Sequence, residues 1–130
     1  LLTMDNNKKR PVYLNLFLIR LPVAGVVSIL HRVSGVVLVL FLPLALLALQ
    51  RSLHSAEEYQ AVVDGLSWLP VRVLLWLLAL SFAHHFLAGL RHLLLHIDSG
   101  ISRRDARVSA WLVLAGVVLT GALLGLGWLL

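Results

Sequence analysis

Three long apolar stretches alternate along this chain with short polar ones. The first polar stretch, residues 1–21, carries Lys8, Lys9, Arg10 and Arg20 against Asp5 and reads as an extended basic segment. Pro22 suits the first turn of a helix, where its missing N–H costs nothing. The apolar run 23–49 follows, broken near its beginning by Ser28, His31, Arg32 and Ser34. At 1.5 Å per residue it is roughly 40 Å long as a helix, enough to cross about 30 Å of hydrocarbon with tilt to spare. Pro43 is expected to kink it. In the loop 51–70, Ser55-x-x-Glu58 forms a capping box, which predicts a short interfacial helix over about 56–66. Trp68 and Trp76 fit an aromatic belt at that surface. The second apolar run is 71–97. After it, Ser102-x-x-Asp105 is another capping box, opening a third run over about 108–130 that has no charge. The expected spans are therefore 23–49, 71–97 and 108–130, in a single domain covering 1–130.

Composition agrees with this division. Of 130 residues, 60% are hydrophobic and 13% charged, which leaves too little polar surface for a domain of this size in water. The class is all-α integral membrane, with three transmembrane helices. The net charge of +5 raises the question of nucleic acid, but the basic residues cluster at the ends of apolar runs, with no stripe interleaved with aromatics. The positive-inside rule accounts for them, and nucleic acid is set aside as a partner in favour of membrane lipid. Basic excess before the first span and after the second, with acidic Glu57, Glu58 and Asp64 between, predicts a cytoplasmic N-terminus. Residues 1–10 lack the apolar core of a signal peptide. The absence of cysteine excludes disulfides and iron–sulfur ligation by this chain.

The candidate chemistry lies in the second span. Residues 81–98 carry His84, His85, Arg91, His92 and His96 inside an otherwise apolar run. His85, Gly89, His92 and His96 are offset by 4, 7 and 11 residues and share one helix face, a stripe too costly to leave in lipid. It is expected to face protein, a cavity or a cofactor. His85 lies about 20 Å from the inner surface at helical rise, His31 about 13 Å and His92 about 9 Å. A b-type haem standing across the membrane asks for that layout. An imidazole meets the iron at mid-depth, and His31, Arg32, Arg91 and His92 stand nearer the surface where propionates point. Gly89 would clear space for a porphyrin face. The competing reading is a set of histidines that only hydrogen-bond between helices, which suits His84, about 100° round the wheel from His85. On spacing alone both readings stay open.

Ser28 and Arg32 stack at i and i+4. Together they offer a hydroxyl and a guanidinium to a quinone carbonyl and to the charge it gains on reduction. The alternative is a snorkelling arginine beside a serine bonded to its own i−4 carbonyl. Gly121-x-x-x-Gly125 is read as helix packing only. Three tilted helices cannot enclose a large cofactor, so polar faces this dense imply a partner subunit.

Taken together, Arg10-Pro11, Tyr13-Leu14-Asn15-Leu16, Arg20-Leu21-Pro22, Ser28-Ile29-Leu30-His31-Arg32-Val33-Ser34-Gly35, and His85 through Gly89-Leu90-Arg91-His92 resemble the cytochrome b556 membrane-anchor subunits of bacterial succinate dehydrogenase, respiratory complex II. The resemblance implies one half of a heterodimeric helical anchor bundle in a bacterial inner membrane, holding one haem b with a second membrane-anchor subunit that gives the other iron ligand. It further implies a flavoprotein subunit and an iron–sulfur subunit on the cytoplasmic side, feeding electrons from the succinate step of the tricarboxylic acid cycle to ubiquinone or menaquinone. Residue by residue, it makes His85 the axial ligand to the haem iron. It sets His31 and His92 near the haem propionates, and Ser28, Ile29 and Arg32 along the quinone site. The family often has an acid four residues after its Arg-His pair; here that position is His96 and the acid is Asp98. A fumarate reductase anchor and a non-redox membrane scaffold are the alternatives.

Overall fold

A computed structural model describes residues 20–97 and 102–129. Four helices follow in order: α1 Val23–Ser52, α2 Ala56–Ser67, α3 Leu69–Ile97 and α4 Arg103–Leu129. Three of them, α1, α3 and the part of α4 up to Gly127, are long and apolar enough to cross a membrane. The basic segment before Arg20, with the first of the resemblance motifs, and Asp98 lie outside the described residues.

Where each helix begins is decided by local chemistry. Pro22 stands as the N-cap of α1, one position ahead of the first turn, in an extended conformation; its carbonyl accepts the Gly25 N–H at 2.8 Å. The helix then runs through Pro43 to Ser52 without a break. The Ser55 hydroxyl accepts the Glu58 N–H at 3.1 Å and starts α2, with Glu57 and Glu58 in the first turn where the helix dipole favours them. Trp68 takes an extended conformation between α2 and α3. Pro70 follows as the second residue of α3, a place where proline breaks no bond. The box before α4 is closed in both directions. Asp105 N–H donates to Ser102 Oγ at 3.2 Å, while Ser102 N–H donates to the Asp105 carboxylate at 3.3 Å. That box sets the start of α4 at Arg103, several residues before the uncharged run.

In the packed bundle α3 is central, lying along both α1 and α4, which meet each other over a shorter length. The buried core is Val27 of α1, Ala88 of α3, and Ala110 and Val113 of α4. These all lie toward the end where α1 and α4 begin and α3 finishes, called here the basic end for Arg20, Arg103, Arg104 and Arg107. Further along, α3 side chains settle against glycines of α4. A Cβ on Gly116 would come within 2.9 Å of Leu87 Cδ1, and one on Gly121 within 2.9 Å of Leu80 Cδ2. Gly116 and Gly121 thus serve packing inside this chain, whereas a Cβ on Gly127 would meet nothing within 4 Å. Trp76 joins the same seam, its indole N–H donating to the Gly121 carbonyl at 3.1 Å. It is therefore a contact between helices, where the sequence pattern predicts an aromatic belt; Trp68, 67% exposed, remains free for the surface. Trp76→Phe is expected to lower the stability of the detergent-solubilised chain by about 1 kcal/mol, the scale of one hydrogen bond between membrane helices, read as a small drop in thermal midpoint.

The rest of the surface is strongly apolar. Val36, Val39, Leu40, Leu42 and Leu44 of α1 are each more than half exposed. No soluble domain presents so long an apolar face; a multi-pass membrane protein does.

Candidate functional site

Two polar layers cross the bundle, and they face different ways. The inward face of α3 is His84, Ala88 and Arg91, all buried. The stripe His85, Gly89 and His92 lies beside it, half-buried along the seam with α1, and His96 is exposed. Depth along the helix groups Arg91 with the cations near the propionates. The structure turns it the other way: its Nε donates to Ser109 Oγ at 3.0 Å and its Nη2 to the Ala106 carbonyl at 2.9 Å, both on α4. It locks the two helices together at the basic end and is 6% exposed. Among the described residues neither ring nitrogen of His84 has a hydrogen-bond partner. His84 is buried between helices as expected, but it does not make the cross-helix bond expected of it.

His85 is held by α1. Its Nδ1 lies 3.0 Å from the His31 carbonyl oxygen, and an acceptor there requires Nδ1 to carry the proton. The other nitrogen, Nε2, then bears the lone pair. Ser34, 5% exposed, donates its hydroxyl to the same carbonyl at 2.9 Å and sits 3.4 Å from Nδ1. The imidazole of His31 stacks on that of His85, with centroids 4.2 Å apart and planes 10° from parallel. His92 meets His31 edge-on at 5.3 Å. The three rings form a column along the α1–α3 seam.

Two glycines make room for the column. A Cβ on Gly35 would lie 2.9 Å from His85 Cε1 and 3.3 Å from Nδ1, so the absence of a side chain there is what lets the ring seat. A Cβ on Gly89 would lie 3.3 Å from His31 Nε2. The notch at Gly89 is therefore filled by His31, where the sequence suggests a porphyrin. Ser34 and Gly35 stand in the sequence motif without a role assigned to them, and the structure brings both to the site. The signal is present, because Gly35 is thirteen residues past Pro22, which gives it the same depth of about 20 Å as His85.

Beside the column, His31, Arg32, Gly35, Val36, Val39, Leu40 and His85 line an open groove of about 480 Å³ on the outer face of the bundle. Arg32 is exposed, Ser28 half-buried and Ile29 47% exposed. The Ser28 hydroxyl makes no hydrogen bond among the described residues, so the i−4 back-bond open to it is not formed. No three His, Asp or Glu side chains among the described residues gather into a metal site. What this chain offers is one imidazole with a fixed tautomer, half-buried beside a groove. That single donor would suit an iron already held in a porphyrin. The residues fit a haem.

The sequence matches the family described as succinate dehydrogenase/fumarate reductase transmembrane subunit over residues 6–124. It is 36% identical over 110 residues to the succinate dehydrogenase cytochrome b556 subunit of Coxiella burnetii, covering 82% of this chain and 86% of that one. Identity to the subunit of the same description from Paracoccus denitrificans is 32% over 123 residues, 91% of each chain. The succinate dehydrogenase hydrophobic membrane anchor subunit of Halobacterium salinarum is 33% identical over 95 residues, 72% of this chain and 73% of that one. With three helices able to span a membrane and a match along nearly its whole length, the chain belongs to the succinate dehydrogenase/fumarate reductase transmembrane subunit family.

Proposed function

We propose that the chain is the haem b- and quinone-binding membrane anchor of a bacterial succinate:quinone oxidoreductase, working in the succinate-oxidising direction. The observation that carries this reading is the seating of His85. Its Nδ1–H is engaged by the His31 carbonyl, which leaves Nε2 as a lone-pair donor beside an open groove. Histidines that ligate metals are oriented in this way, by a hydrogen bond from the second ring nitrogen. The relatives' names, which speak of succinate dehydrogenase and of cytochrome b556, support the direction and the haem.

In this reading His85 would hold the haem iron through Nε2, and a second membrane-anchor subunit would cover the groove and supply the remaining ligand. His31 and His92 extend from His85 toward the propionates. When bound, the haem supplies a one-electron carrier next to the quinone. Ser28 and Arg32, one helical turn apart at the basic end of α1, hold the quinone beside Ile29. The guanidinium donates to a carbonyl oxygen and stabilises the charge that collects there as electrons arrive. The basic end faces the cytoplasm, which sets this site on the side of an iron–sulfur subunit and the flavoprotein beyond it. The quinone is ubiquinone or menaquinone.

The test uses the purified membrane assembly with all its subunits. Reduced-minus-oxidised spectra of the native complex are expected to show haem b bands that develop on adding succinate. Arg32→Ala is expected to lower succinate:quinone reductase activity by about 10- to 100-fold, the scale of a lost charge-assisted hydrogen bond, with haem content unchanged. Haem content is expected to hold because the seat of His85 uses the His31 carbonyl, Ser34 and Gly35 but not the Arg32 side chain. Loss of haem and activity in equal measure would assign Arg32 to the fold or to the haem and remove it from the quinone site.

A further inference from the structure

Val27 and Ser34 are the buried residues of α1, and only Ser34 is polar. It gives its proton to the His31 carbonyl at 2.9 Å, the same oxygen that holds His85 Nδ1–H at 3.0 Å. Its own oxygen is 3.4 Å from Nδ1, beyond the usual range for a good hydrogen bond. Two donors therefore converge on one carbonyl, and they compete. Each draws on the same electron density, so the Ser34 hydroxyl weakens the pull of that carbonyl on the imidazole N–H.

We propose that Ser34 is a positioning residue that tunes the iron ligand: by sharing the His31 carbonyl with His85, its hydroxyl limits the anionic character of the imidazole and holds the haem potential up. The inference rests on the haem reading given above and deepens it. The sign follows from the geometry. Without the hydroxyl, the bond from Nδ1–H to the carbonyl tightens and the proton is drawn away from the ring. The ring becomes a stronger donor through Nε2, and a stronger donor favours ferric over ferrous iron. The proton stays on Nδ1 in both oxidation states; only one electron is exchanged, supplied or taken up by dithionite or ferricyanide through mediators. A serine bonding to its i−3 carbonyl merely to satisfy itself would have no such effect.

Ser34→Ala removes the hydroxyl at the smallest change of volume, and Ser34→Thr restores it. The experiment is potentiometry of the haem in the purified complete assembly, with low-temperature EPR of the ferric state as a second readout. Ser34→Ala is expected to keep its haem and to raise the oxidised-to-reduced ratio at a fixed potential about three- to tenfold, tenfold corresponding to about 59 mV for a one-electron couple. The ferric signal is expected to shift toward that of a more anionic imidazole, and Ser34→Thr to lie near the native values. An unchanged potential in Ser34→Ala with full haem content overturns the proposal, and so does a rise. Loss of haem from Ser34→Ala also overturns it, because Ser34 would then be a packing residue. If the native assembly holds no haem, or if His85→Ala keeps it, the haem reading itself fails, a result separable from all of these.

Discussion

A His85→Ala variant is expected to assemble in the membrane and to lack the haem absorption of the native complex. Assembly is expected to survive because the bundle is joined elsewhere. Arg91 ties α3 to α4 through Ser109 and Ala106, Trp76 does so at Gly121, and Leu80 and Leu87 fill the surfaces left open by Gly121 and Gly116. None of these contacts involves His85. On the α1 side the variant frees the His31 carbonyl of one donor, but Ser34 still occupies it. In the proposed reading, haem retention rests on the single nitrogen Nε2 of His85. Loss of an outer hydrogen bond around a metal ligand costs about 10- to 100-fold in affinity, and loss of the ligand itself costs more. Haem per complex is therefore expected to fall below about one hundredth of the native value. The neighbouring His84→Ala should retain haem, because both ring nitrogens of His84 are buried inside the bundle and do not line the groove. Pyridine haemochrome measurement on both purified variants decides the matter. Haem retained in His85→Ala, or lost in His84→Ala, would show that the wrong member of the doublet has been assigned.

The long helices are legible in the sequence because lipid solvation is a strong and simple constraint. An apolar run that must span about 30 Å can only be a helix or part of a closed barrel, and strand alternation is absent here. The two capping boxes are legible for an equally local reason, since Ser55 and Ser102 act on residues three positions away. Sequence reading stops short at boundaries. Hydropathy marks where the apolar run begins, whereas Arg103 is helical because Ser102 and Asp105 cap it, whatever the polarity of the residues that follow.

The histidine layer is legible in depth and ambiguous in azimuth. Helical rise alone sets His31 about one turn nearer the inner surface than His85, and across the seam between α1 and α3 the two rings do stack. The choice of facing is harder. His84, Ala88 and Arg91 form one face and His85, Gly89 and His92 the next, and each carries polar groups. A helical wheel cannot say which of two adjacent polar faces meets the chain's own helices and which is left for another subunit. That depends on α4, whose Ser109 and Ala106 carbonyl take Arg91 away from the histidine column. Gly89 misleads for a related reason. A glycine announces a close approach without naming what approaches, and here it is His31.

Gly35→Val is the sharper test, because it is expected to expel the haem while leaving every histidine in place. A single Cβ added at Gly35 would lie 2.9 Å from His85 Cε1, closer than real side chains approach, and 3.3 Å from Nδ1. The ring cannot simply swing aside. One face lies against His31 at 4.2 Å, and its Nδ1 is fixed to the His31 carbonyl at 3.0 Å. Relief requires breaking that bond or parting α1 from α3. Overpacking of this kind costs about 1–3 kcal/mol for one methyl, so Gly35→Ala is expected to weaken haem retention by about 10- to 100-fold. The two further methyls of valine add to that and should leave the complex without haem. Valine is well tolerated by the helix itself, which already carries Val36 and Val37 next in sequence. Gly89→Val is the matched control. Its clash is with His31 Nε2, so it is expected to disturb the propionate end and leave the iron ligand seated, with haem retained and its spectrum shifted. If Gly35→Val binds haem as the native complex does, the groove beside Gly35 is not where the porphyrin ligand is held, and the seat described for His85 serves packing between α1 and α3.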